Sequence, residues 1–125
     1  MPSPDTLEAF IARVVSGAHA EAIEEFYTEG ATMRENLGKP RVGRATLMEQ
    51  ESDTLSRVRS VQSRCVRPVL VNGDTVVVRW IFRFEGPDGR VRELEELAWQ
   101  RWEGERIAEE QFFYDPAQFV WRDAK

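Results

Sequence analysis

The chain of 125 residues is poor in the residues that staple or metallate small proteins. It has one cysteine, Cys65, and one histidine, His19. A lone cysteine cannot close an internal disulfide, and one residue of each kind cannot supply a His/Cys zinc site. Cys65 fits a reducing compartment such as the cytoplasm, and fits equally well as a small buried residue. No long apolar run is present, so no membrane-spanning helix is expected. The segment from Met1 to Asp5 has neither a basic start nor an apolar stretch, which argues against a secretory signal. Positive charge is also short. The net charge is −5, whereas a nucleic-acid backbone calls for a basic footprint. The arginines between Arg57 and Arg92 alternate with apolar residues and are followed by Glu93, Glu95 and Glu96. That is a pattern of solvated or cross-strand-paired charge. Glycine-rich phosphate loops and dinucleotide fingerprints are missing as well.

What remains is an ordinary globular composition, 42% hydrophobic and 31% charged. It suits one domain over residues 1–125 with one real core. Leu7, Phe10, Ile11, Val14 and Val15 recur at helical spacing, behind the capping stretch Ser3-Pro4-Asp5-Thr6. A second helix is predicted from about Ala18 to Tyr27, ended by Gly30. Residues Ala31 to Asn36 read as a short strand, Leu37 to Pro40 as a loop, and Gly43 to about Val58 as a third helix. Four strands follow: Ser60–Val71, Thr75–Glu85, Val91–Trp102 and Arg106–Tyr114. Their connections at Gly73, Gly86–Gly89 and Gly104 carry hairpin turn chemistry. The order predicts an α+β domain, its helices on one face of a curved antiparallel sheet.

Three stretches in this order, Phe26–Glu35, Pro40–Gly43 leading into a helix, and Gly104–Ile107 leading into Phe112–Asp115, resemble the nuclear-transport-factor-2-like superfamily. The similarity is greatest to its SnoaL-like and ketosteroid-isomerase-like branch. The resemblance implies a cystatin-like, cone-shaped α+β barrel with three N-terminal helices packed on the sheet. It also implies a pocket for a small hydrophobic molecule and a homodimer formed through the outer sheet face. The superfamily holds isomerases, polyketide cyclases, epoxide hydrolases, dehydratases and non-enzymes, so the fold leaves the function open.

Carboxylates carry the candidate chemistry. Glu35 falls where the isomerase-like members place a general-base Asp, on the same strand face as Met33. Burial there would raise its pKa towards neutrality; the other reading pairs it with an arginine at the pocket rim. The isomerases' first-helix Tyr donor is replaced by Phe10-Ile11, and their second donor aligns near Ala98. An enolate would then lack its stabilising hole. The catalytic Asp that cyclase-like members carry on the last strand aligns with Phe112. Glu110, one alternation earlier, is the acid that could take its place. Glu110 shares a strand face with Phe112 and Tyr114. The Gly86–Gly89 turn leaves the register of the neighbouring strand open; the resemblance, which sets Ala98 inward, implies that Glu96 faces inward with it. Val76, Val78, Trp80, Phe82 and Phe84 make a continuous apolar face, from which Trp80 is expected to touch a ligand, as is Tyr114. His19, between alanines, reads as a surface position. Trp99 and Phe113 fall on the outer face, where exposed aromatics suggest an interface.

Two functions follow. One is acid/base chemistry on a small hydrophobic molecule by Glu35 and Glu110, with Met33, Trp80, Glu96, Phe112 and Tyr114 binding it. The other is a binding or dimerisation module of the same fold without turnover. Neither requires a cofactor, and no residue spacing points to a metal.

Overall fold

The computed structural model describes residues 1–124. Helix α1, Pro4–Val15, starts where Ser3 Oγ accepts the Thr6 amide proton at 3.1 Å, with proline at its first position. It buries Leu7, Phe10, Ile11 and Val14. Val15, expected inward, lies exposed at the helix end. Helix α2, His19–Phe26, stops one residue earlier than the pattern predicts. Tyr27 is already extended and opens strand β1, Tyr27–Glu35. An aromatic followed by a β-branched residue suits a strand, and here Tyr27 pairs with Ile107 across the sheet.

The two-residue strand β2, Arg41–Val42, follows, then helix α3, Arg44–Ser56. Gly43 joins them at φ +101°, a conformation that residues with a Cβ rarely adopt. From there its N–H reaches Ala31 O and its carbonyl accepts the Leu47 amide, which starts α3. Four long strands complete the chain: β3 Ser60–Asn72, β4 Thr75–Glu85, β5 Val91–Glu103 and β6 Arg106–Phe113. A single 3₁₀ turn, Pro116–Gln118, stands in the tail. The β3–β4 and β5–β6 hairpins turn through Gly73 and Gly104, both at positive φ.

The six strands form one sheet in the order β2-β1-β6-β5-β4-β3. Its β1 strand runs parallel to β6, so the sheet is mixed and not wholly antiparallel as expected. The chain leaves β1, crosses through α3 and returns to it only as the last strand of the meander, in the same direction. Two further expectations are corrected by this topology. Only two helices precede the sheet, where the resemblance implied three N-terminal ones; the third follows β1 and β2, in the order read from the sequence. The barrel is also not closed, since β2 and β3 remain as edges.

The helices bury one face of the sheet. Phe10, Ile11, Ala22, Ile23 and Leu47 pack with Val76, Val78, Trp80, Trp102 and Ile107. The Phe10 ring is the hub, with its centroid 5.6 to 6.4 Å from those of Phe26, Tyr27, Trp80 and Trp102. The Gly86–Gly89 turn sets even against even across β4 and β5, pairing Trp80 with Glu96 and Phe84 with Arg92. The inward row of β5 is therefore Arg92, Leu94, Glu96, Ala98 and Gln100. On the other face Leu97, Trp99 and Phe113 stay exposed, with Leu97 opposite Phe113 and Trp99 opposite Val77. No helix among the described residues is long and apolar enough to cross a membrane.

Candidate functional site

Between the helices and the sheet lies a cavity of about 190 Å³. Its apolar wall is the row Trp80, Phe82 and Phe84 on β4, with Phe10, Ile23 and Leu94 around it. The Trp80 and Phe82 rings are stacked, centroids 5.6 Å apart and planes 20° off parallel. Set into this wall are the acids Glu35, Glu51, Glu96 and Glu110.

Glu110 is the deepest of them, 1% exposed. It stands on β6 between Met33 of β1 and Gln100 of β5, its strand partners. The Tyr27 hydroxyl donates to its Oε1, and Gln100 Nε2 donates to Oε2 at 2.7 Å. The Gln100 amide has only one workable orientation. Trp102 Nε1 donates to Gln100 Oε1 at 3.0 Å, and an indole N–H can only donate. The amide nitrogen must then face Glu110. Burial pushes the Glu110 carboxyl up to about 7, against the two hydrogen bonds, which favour the anion. Burial and the neighbouring Glu110 charge drive the Tyr27 hydroxyl well above its usual range, so it remains a donor.

Glu96 is also buried, at 8% exposed, but no protein group hydrogen-bonds to it among the described residues. Burial raises its pKa to about 8, helped by the charges of Glu110, Glu35 and Glu51. A neutral carboxyl facing a cavity is a hydrogen-bond donor in search of an acceptor.

The structure brings together most of the residues singled out from the sequence. Met33, Trp80, Glu96, Glu110 and Phe112 all line the cavity. Two expectations are corrected. Glu35 lines the cavity mouth but is not buried: its side chain is 50% exposed, 3.8 Å from Arg41. Alternation does turn it the same way as Met33, but it is the last residue of β1 and stands at the rim, beside Arg41. Tyr114 does not line the cavity. β6 ends at Phe113, and beyond it the Tyr114 amide donates to Asn36 Oδ1 while its hydroxyl donates to Glu35 Oε1 at 3.3 Å. Burial, with the adjacent Glu35, pushes that hydroxyl up to about 12. Phe10 and Ala98, which the resemblance sets at the two donor positions of the isomerase pattern, are both buried.

Other cavity groups were not foreseen as functional. Tyr27 and Gln100 hold Glu110. His19, read as a surface residue, is 8% exposed and lines the cavity. Its Nδ1 lies 3.2 Å from Glu51 Oε2 and its Nε2 lies 2.8 Å from Ser63 Oγ, while its ring packs on Phe82. In the tautomer that donates from Nδ1 to Glu51, Nε2 accepts from the Ser63 hydroxyl. Removing that donor strands a buried ring nitrogen. Ser63→Ala is therefore expected to lower stability by about 1–3 kcal/mol, read as a shift in the urea midpoint with an unchanged slope. Among the described residues, no group of three or more His, Cys, Asp or Glu side chains is placed to hold a metal ion.

Comparison with solved structures places this fold among known ones. A protein of ketosteroid isomerase-like fold from Catenulispora acidiphila, in complex with trimethylamine, superposes with a TM-score of 0.76 at 18% identity, over 93% of this chain and 89% of that one. A protein from Mesorhizobium loti, described as a candidate SnoaL-like polyketide cyclase, gives 0.74 at 19% identity, over 91% and 100%. IdmH from Streptomyces antibioticus, described as a candidate polyketide cyclase, gives 0.73 at 21% identity, over 91% and 92%. At such identities the likeness is one of fold. Comparison with curated protein sequences finds no significant match. The family description that does match is the SnoaL-like domain, over residues 7–110, and this chain belongs to that family.

Proposed function

We infer that this SnoaL-like protein is an acid/base enzyme acting on a small hydrophobic carbonyl compound, of the isomerase, cyclase or dehydratase type. The observation that carries the reading is a pair of buried carboxyls of unlike environment in one cavity. Glu110, held by Tyr27 and Gln100 and with a pKa near 7, is suited to take a proton from carbon. Glu96, neutral up to about pH 8 and without a protein partner, is suited to donate a hydrogen bond to the substrate oxygen as charge develops there. It stands two residues before Ala98 on the same strand face, and would supply the donor that the isomerase pattern lacks. Return of the proton to another carbon is isomerisation; attack by the enolate on a second carbonyl is cyclisation. Met33, Trp80 and Phe112 supply the apolar contact. Glu35, at the mouth, is assigned to ligand entry and not to the proton transfer.

A test needs a hydrophobic ketone with an acidic carbon-bound proton, such as 2-tetralone. Deuterium uptake at C1 in D₂O, followed by proton NMR, is expected to exceed the rate without protein. Binding without accelerated exchange would make the chain a non-catalytic ligand-binding module of the same fold.

Pairing of two copies through the outer sheet face, and residence in the cytoplasm, belong to the same proposal. Trp99, 49% exposed, forms with Leu97 and Phe113 an apolar patch flanked by charge. Trp99→Glu is expected to leave a folded monomer where the natural chain sediments as a dimer.

A further inference from the structure

Eight of the fifteen arginines, Arg13, Arg41, Arg57, Arg59, Arg67, Arg79, Arg90 and Arg101, lie within ion-pair distance of a carboxylate. Two arginines line the cavity: Arg41, which pairs with Glu35, and Arg92. Arg92 is the one without a carboxylate partner. It makes no ion pair among the described residues, and its Nε is buried without a hydrogen-bond partner. Leaving a charged donor of this kind unmet opposes folding, so something outside the chain is the natural partner for it.

Three aromatic rings hold the guanidinium in place. Its central carbon lies 5.5 Å from the ring centroid of Phe84, 4.9 Å from that of Phe119 and 4.5 Å from that of Trp121. Phe84 is its partner across β4 and β5. The other two rings come from the tail, which is tied down by paired backbone bonds between Val91 and Arg122, both 2.8 Å. Rings attract the face of a guanidinium and leave its N–H edge free. The same β5 row carries Glu96, the buried acid without a partner, four residues on. The two do not pair with each other. A cation and a hydrogen-bonding carboxyl, both unmet, thus stand on one strand face beside the aromatic row Trp80, Phe82 and Phe84.

We propose that Arg92 is the anion-binding residue of the cavity, and that the natural ligand is a flat, apolar molecule carrying a carboxylate or an acidic enol or phenol at one end. The proposal rests on the cavity reading above and narrows it to a class of ligand. The anion meets the Arg92 N–H edge, its ring system lies along the β4 aromatics, and a second oxygen reaches Glu96.

The test uses two probes of one shape, 2-naphthoate and its neutral amide, 2-naphthamide, titrated by calorimetry at pH 7 and low salt. The natural chain is expected to bind the acid at least tenfold more tightly. Arg92→Gln is expected to erase that preference, and Arg92→Lys, which keeps the charge but loses the planar fork, to retain part of it. The difference in tryptophan fluorescence between each variant and its Trp121→Phe counterpart reports whether the tail stays docked. Equal binding of acid and amide by the natural chain overturns the proposal, as does an undiminished preference in Arg92→Gln. The underlying reading fails separately. If both probes bind equally and Glu96→Gln weakens both, the cavity still binds ligands and only the anion site falls. If neither probe binds, both readings fall.

Discussion

Glu110→Gln is expected to slow the exchange of 2-tetralone protons by about 10²–10⁴-fold while leaving the fold intact. The substitution is unusually clean because of the hydrogen bonds around it. Trp102 fixes the Gln100 amide with its nitrogen towards residue 110. A glutamine there turns its own oxygen to Gln100 and its nitrogen to the Tyr27 oxygen, which accepts as readily as it donates. Each of these buried heteroatoms keeps one partner, and only the Tyr27 hydroxyl proton loses its acceptor, so what is lost is chiefly the base. The pH profile separates the two acids. With Glu110 as base, exchange rises as its carboxyl ionises near pH 7. With Glu96 as neutral donor, exchange falls as that carboxyl ionises near pH 8. Glu110→Gln removes the acid limb along with the rate, and Glu96→Gln removes the alkaline limb. Tyr27→Phe is a finer probe. It deletes a hydrogen bond that favours the Glu110 anion, so the acid limb moves to higher pH. A Tyr27→Phe profile identical to that of the natural chain would show that Glu110 is not the group being titrated.

The sequence made much of this visible, and the limits follow from physics. Strand alternation turns Val76 through Phe84 to an inward face and puts one of Glu109 and Glu110 inward, because a period of two holds along any stretch of strand free of a bulge, and the bulge on β6 lies before Glu109. Alternation on β5 puts Arg92, Leu94, Glu96, Ala98 and Gln100 on one face, and the resemblance, with Ala98 inward, turns that face to the cavity. Gln100 was legible in that row but went unweighed. Glu35 misled because alternation gives direction and not depth: a residue can face the cavity and still stand at its open end. His19 left no local signal. Its partners Glu51 and Ser63 are 32 and 44 residues away, on α3 and β3, and only the packing of those elements brings them together. Tyr27 was assigned to the end of a helix by local pattern; pairing with Ile107 and the buried bond to Glu110 override that preference. The Arg92 clamp needed the tail to fold back beside β5, through a bridge between Val91 and Arg122 that no sequence periodicity announces.

Stability against pH offers a test of the cavity acids that needs no ligand. Burying a carboxyl raises its folded-state pKa above that of the unfolded chain, so the unfolded chain gives up its proton first and gains on the folded one as pH rises. The loss begins near the ordinary value of 4.5 and is complete once the folded group has ionised, near pH 7 for Glu110 and near pH 8 for Glu96. At about 1.4 kcal/mol for each tenfold change in the proton equilibrium, Glu96 alone accounts for roughly 3–5 kcal/mol between pH 5 and pH 9. Glu96→Gln abolishes that term. Urea unfolding is therefore expected to show the variant gaining on the natural chain by about this amount across the range, and exceeding it in stability at pH 9. The variant's remaining decline, due to Glu110, ends near pH 7, whereas that of the natural chain continues towards pH 8. Parallel curves would mean that Glu96 is solvated and that the cavity does not hold it neutral. A gain would mean that the natural residue lowers stability at alkaline pH, a cost tolerated where a site must present an unpartnered acid to something that is not the protein itself.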